Sequence, residues 1–194
     1  MTSVDPRRIE ELVAALTDSG QAQSPIGFPS DSRVAARPGL YSWWGDEPAR
    51  EVIEEQLGKA LPPLVYVGQA GATRWPSGTR SSATLGSRIR GNHINGNASS
   101  STFRLTLSAL LFRPLGLTVL KPGRLAPEDR KVVSAWMKDH LRVVIVSYGD
   151  RDSLEHVEDC VLDTLDPPLN LRGRPATGSR NLLKDLRRQI TKPA

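Results

Sequence analysis

Reactive side chains are scarce in this sequence. One cysteine, Cys160, can make neither an intrachain disulfide nor a cysteine cage for zinc, and His93, His140 and His156 are the only other soft ligands. Any metal site must therefore lean on oxygen. Basic charge is plentiful, with 26 Lys+Arg against 21 Asp+Glu and a net charge of +5. The basic residues cluster at Arg74, Arg80, Arg88 and Arg90, and again at Arg172, Arg174, Arg180, Lys184, Arg187 and Arg188, patches that suit a polyanion. Two tripeptides set a phenol near a glycine, Gly39-Leu40-Tyr41 and Tyr66-Val67-Gly68. Singly, each reads as strand packing, and Glu158 reads as a solvated helix carboxylate like Glu155 and Asp159.

The elements that would position these residues follow from periodicity and capping. A chain of 194 residues with 38% hydrophobic and 24% charged residues has the make-up of a globular protein with one core. No apolar run nears the roughly 20 residues that span a bilayer, and the charged N-terminus does not look like a signal peptide, so a cytoplasmic protein with no membrane partner is expected. Asp5 as N-cap and Pro6 at the first position predict a helix ending near Ser19-Gly20. Residues 21–38, rich in Ser, Pro and Gly, predict a loop or linker. Short strands are predicted at 39–44 and 64–68, with a helix at 47–61 between them that stops at Pro62-Pro63. A loop at 69–83 leads to a helix at 85–93. Residues 101–112 fit either period, and the capping residues at 99–102 favour a helix. Then come a helix at 127–140, a β-branched strand at 141–148, a helix at 153–165 broken by Pro167-Pro168, and a basic helix at 181–190.

Taken in order, Gly39-Leu40-Tyr41, Tyr66-Val67-Gly68, a helical arginine with His93, then Glu158 and Pro167-Pro168-Leu169-Asn170 resemble the signature of GIY-YIG nucleases. The closing part, a helical glutamate followed by P-x-x-N, is the most specific. The resemblance implies an α+β fold in which a small three-stranded antiparallel sheet is flanked by helices. It covers residues 38–172, with 1–37 as N-terminal helix and linker and 173–194 as a basic C-terminal extension. It also implies a divalent-metal-dependent endonuclease that hydrolyses DNA phosphodiester bonds.

Under that resemblance Glu158 would hold Mg²⁺ (or Mn²⁺), a hard cation that prefers carboxylate oxygen and keeps several waters. Tyr41 would activate the water, or bond to whatever does, and Tyr66 would orient water or phosphate. Arg88, three residues after Leu85, would grip the scissile phosphate through a bidentate fork, with Arg90 as the reserve. His93 would take or give a proton. Gly39, Gly68 and Asn170 would shape the site, Asn170 by tying its loop to the strands. Arg74, Arg80, Arg90, Arg174, Arg180, Lys184, Arg187 and Arg188 are the expected DNA contacts.

Two departures stand out. The family's histidine often follows its arginine by four positions, whereas His93 follows Arg88 by five and Arg90 by three. The segment between Tyr41 and Tyr66 is longer than in minimal members and is similar to restriction-type ones. A restriction or defence role, a repair or mobile-element role, and a DNA-binding module without catalysis all fit the sequence. A homodimer is compatible with each.

Overall fold

The computed structural model describes residues 4–29 and 31–192. Its elements run α1 (Pro6–Thr17), α2 (Ser32–Ala35), β1 (Gly39–Gly45), α3 (Glu47–Leu57) and β2 (Leu64–Ala70). A small hairpin β3–β4 (Thr73–Arg74, Thr79–Arg80) and a π-helical segment (Ser87–Ile94) precede α4 (Thr102–Leu110). A second hairpin β5–β6 (Val119–Lys121, Arg124–Leu125), α5 (Pro127–His140), β7 (Leu141–Ser147), α6 (Leu154–Leu165) and α7 (Gly178–Thr191) complete the chain. None of the described helices is long and apolar enough to cross a membrane.

Local chemistry explains most boundaries. Asp5 accepts from Arg7 N at 3.0 Å and starts α1, while Ser101 and Thr177 cap α4 and α7 in the same way. Helix α3 ends at Leu57, short of the expected 61, because Gly58 takes the left-handed conformation (φ 61°) that closes a helix. Helix α7 begins at Gly178, earlier than expected, because Thr177 supplies the cap. The two hairpins and α2 lie in stretches read as loops. Strands of two or three residues and a four-residue helix carry too few positions for a period to register.

Strands β2, β1 and β7 form one antiparallel sheet with β1 in the centre. Gly39 allows its tight pairing with β7, since a Cβ there would sit 2.1 Å from the Val146 carbonyl oxygen. Both outer strands are covered, which removes the hazard of open edges. Gln23 bridges Val143 on β7. The Asn170 amide pairs with β2, accepting from Val67 N at 3.0 Å and donating to Val67 O at 2.8 Å.

The sheet separates two apolar clusters. Against one face, Leu12 and Leu16 of α1 and Leu154, Val157 and Val161 of α6 pack on Leu40, Leu64 and Val67. Against the other, the π-helical segment, α3, α4, α5 and α7 pack around Tyr41, Trp43 and Phe103. Leu183, Leu186 and Ile190 of α7 belong to this second cluster, so the basic C-terminal helix is a wall of the core.

Candidate active site

A cleft of about 460 Å³ lies beside strand β2, where α6 meets α4 and α7. Tyr41 and Tyr66 line it from the sheet, Arg88 from the π-helical segment, Glu155, Glu158 and Asp159 from α6, and Lys184 and Arg187 from α7. Gln69, Thr102, Thr106, Asn170 and Arg172 complete the polar lining.

The tyrosines owe their common face to the sheet register. Tyr41 stands opposite Gly68 and Trp43 opposite Tyr66, so the two phenols are diagonal neighbours on adjacent strands. Their rings stack with centroids 6.5 Å apart. Tyr41 lies across Gly68, where a Cβ would fall 2.5 Å from the Tyr41 hydroxyl. A side chain at residue 68 would therefore push Tyr41 off its place. Burial raises the Tyr41 phenol far above its ordinary value, Tyr66 adds to the rise, and Arg88 opposes it. Burial likewise raises Tyr66, whose hydroxyl lies 3.4 Å from Thr102 Oγ1.

Behind Tyr41 runs a buried polar chain. Tyr41 Oη is 2.7 Å from His93 Nε2, and His93 Nδ1 is 2.6 Å from Ser101 Oγ. Burial, then the Arg88 and Arg104 guanidinium groups, hold His93 well below its usual pKa, so the imidazole is neutral. Arg104 is itself fully buried, and burial brings its pKa down to about 10. It donates to the carbonyls of His93 (2.8 Å), Ile94 (2.6 Å) and Arg130 (2.7 Å), fastening the end of the π-helical segment to α4 and α5.

That segment accounts for the unusual spacing of five between Arg88 and His93. In a π-helix each N–H bonds five residues back, as Asn95 N does to Arg90 O at 3.0 Å. One extra residue per turn brings positions five apart onto the same side. Arg88 and His93 therefore both face Tyr41. Arg88 Nε is buried without a partner, and the guanidinium sits near enough to bond the ionised Tyr41. Arg90 points elsewhere, into a cavity of about 380 Å³ lined by Phe28 and Lys138.

Glu158 sits at the margin of the apolar stripe of α6, between the buried Val157 and Val161. Desolvation, followed by the neighbouring Asp159 carboxylate, raises its pKa to about 7, while Arg172 and Arg88 pull it down. It makes no hydrogen bond or ion pair with any described residue. Among the described residues no group of three or more His, Cys, Asp or Glu forms a metal cage. A half-buried carboxylate with unused lone pairs in a polar cleft nonetheless fits one hard cation that keeps most of its water.

The remaining basic candidates separate by position. Lys184 and Arg187 face the cleft from one side of α7, and burial lowers the Arg187 pKa. Arg180 is buried and internally bonded, donating to Asp166 at 2.6 Å and to Asn170 O at 3.1 Å. Arg174 bonds Asp163 and Leu162 O and has a side chain only 9% exposed. Arg188 pairs with Asp185 and lines a different hollow. Arg74 and Arg80 are exposed on the β3–β4 hairpin, Arg80 within 3.7 Å of Asp152. Sequence reasoning did not single out Ser101, Thr102 or Arg104. Ser101 and Thr102 had registered only as capping residues, and nothing in the sequence marks Arg104 as buried.

The sequence model of the GIY-YIG catalytic domain family matches residues 39–189. No curated protein and no solved structure matches the chain.

Proposed function

From the premise that this chain belongs to the GIY-YIG family, and so is a nuclease in type, we propose that it is a divalent-metal-dependent endonuclease that hydrolyses DNA phosphodiester bonds. One observation carries the reading: Tyr41, Tyr66, Arg88 and Glu158, drawn from four separate elements, line a single cleft.

Each residue has a task suited to its chemistry. Arg88, with a buried and unpartnered Nε, offers a planar fork to the scissile phosphate. Lys184 and Arg187 hold the flanking backbone from α7. Tyr66, steadied by Thr102, orients the water or the phosphate. Tyr41 is neutral in the free chain; positive charge gained by the cleft would let it shed its own proton to solvent, and the phenolate would then take one from the attacking water. Glu158, which lines the cleft, would hold Mg²⁺ or Mn²⁺. When bound, such an ion supplies Lewis acidity and more readily ionised water. Arg74 and Arg80 extend the basic surface along the hairpin, whereas Arg174 and Arg180 are spent on internal bonds and are left out of the DNA-contact set.

Helix α3, inserted between Tyr41 and Tyr66, favours a restriction or defence member over a repair or mobile-element one. Cutting both strands in one event needs two clefts, and hence a homodimer. The test is incubation of purified chain with supercoiled plasmid and Mg²⁺, Mn²⁺ or a chelator. Nicked or linear product with metal and none with chelator is expected. Plasmid that is bound but intact under every condition would instead support a DNA-binding module without catalysis.

A further inference from the structure

We propose that Ser101 is a positioning residue that sets the tautomer of His93, placing the ring proton on Nε2, where it donates to the Tyr41 oxygen. The argument is one of hydrogen-bond capacity. A serine hydroxyl has one proton to give and two lone pairs. Ser101 Oγ, as N-cap of α4, accepts from Arg104 N at 3.0 Å, and it lies 2.6 Å from His93 Nδ1. Among the described residues, Nδ1 is the only acceptor within reach of its proton. If Nδ1 carried the hydrogen instead, Ser101 Oγ would accept twice and its own proton would be stranded. Ser101 is 3% exposed and does not line the cleft, so water does not relieve it. A stranded buried donor costs about 1–3 kcal/mol.

The opposite end of the imidazole differs in place. Tyr41 is itself buried but borders the cleft, which Ser101 does not, so a water or substrate group held in the cleft can take the phenolic proton while Oη accepts from Nε2 at 2.7 Å. Burial and two guanidinium groups keep His93 neutral, so only one ring proton has to be placed. The end of the chain away from the cleft therefore decides the state of the end that borders it.

The consequence rests on the nuclease proposal. His93 cannot receive the Tyr41 proton, because the nitrogen facing Tyr41 already holds a hydrogen. Nε2–H and Arg88 instead present two donors to one phenolic oxygen, which favours its ionised form. The proton that Tyr41 sheds leaves through the cleft, and the phenolate then takes one from the attacking water.

The tautomer is read directly from long-range ¹H–¹⁵N spectra of the labelled, metal-free full chain at near-neutral pH, with His93 identified by its loss in His93→Gln. A protonated Nε2 and a bare Nδ1 are expected, and the reverse overturns the proposal. Ser101→Asp keeps an acceptor for Arg104 N but offers Nδ1 no proton. It should move the hydrogen to Nδ1 and slow plasmid cutting on the order of a hundredfold. Ser101→Thr keeps both bonds and should hold the wild-type spectrum and rate. An Asp variant with an unchanged imidazole spectrum overturns the proposal, and if that variant does not fold the wild-type spectrum decides alone. A chain with the expected spectrum that cuts nothing sinks the nuclease reading while supporting the tautomer; one that cuts with Nδ1 protonated does the opposite.

Discussion

The two faces of the central sheet bury their side chains by different rules. Against α1 and α6 the fully buried packing is aliphatic, with Trp44 and Tyr148 at its margin and Ser42 Oγ donating to Leu16 O at 2.7 Å. Against α4 and the π-helical segment, the same sheet buries Tyr41, His93, Ser101 and Arg104 in a continuous chain of hydrogen bonds. A paired buried polar group adds only about 1 kcal/mol net, and an unpaired one costs more than that. Stability alone would favour more leucine. Under the proposed function the polar face serves Tyr41, whereas the aliphatic face holds the sheet in register.

If the faces divide the work in this way, substitutions should separate activity from stability. Glu158→Gln should have the largest effect, lowering metal-dependent cutting on the order of a thousandfold while DNA affinity in a gel shift stays nearly constant. Affinity lost in parallel would mean that Glu158 shapes the cleft and takes no part in the chemistry. Arg88→Lys should lower kcat/KM about a hundredfold, because an ammonium lacks the planar fork. On the aliphatic face, Leu16→Ala should cost about 2–5 kcal/mol in denaturant unfolding and leave kcat of the folded fraction unchanged. A large fall in kcat there would break the division between the faces.

Glu158 also sets a pH-dependent stability that sharpens the comparison. Its pKa of about 7 in the folded chain lies above the ordinary 4.5, so the folded state binds this proton more tightly than the unfolded state does. The resulting contribution is fully present below pH about 4.5 and is lost as pH rises toward 7. Without divalent metal, Glu158→Gln should therefore match wild type in acid and exceed it at pH about 8 by on the order of 2 kcal/mol. Added Mg²⁺ should narrow that gap. A variant no more stable at the higher pH would show the carboxylate to be well solvated. The smallest effect concerns α7. Arg187→Ala should lower the salt slope of DNA binding by about one unit, while Arg188→Ala, which removes a side chain paired with Asp185 and lining a different hollow, leaves it unchanged.

Much of the scaffold was legible beforehand. The strands carrying Tyr41 and Tyr66, the β-branched strand β7 and the helix bearing Glu158 all announce themselves through apolar period and bounding Gly or Pro. The basic residues of α7 were not separable in the same way. Arg180 and Arg187 look alike in sequence, yet one is bonded to Asp166 and Asn170 O while the other faces the cleft. Seven residues apart, they share one side of α7, and position along the helix separates them: Arg180 stands in the first turn, against the loop after α6, and Arg187 two turns on.

By itself, the sequence determined the order and type of the main elements and the residues able to do chemistry, because period, capping and side-chain type are local properties. Only the tertiary structure decided that Arg88 and not Arg90 joins the tyrosines. The π-helical turn that brings Arg88 and His93 to one side ends where Arg104, a residue of a different helix, holds the carbonyls of His93 and Ile94. A helix whose pitch is held by a guanidinium from another element leaves no trace in its own periodicity.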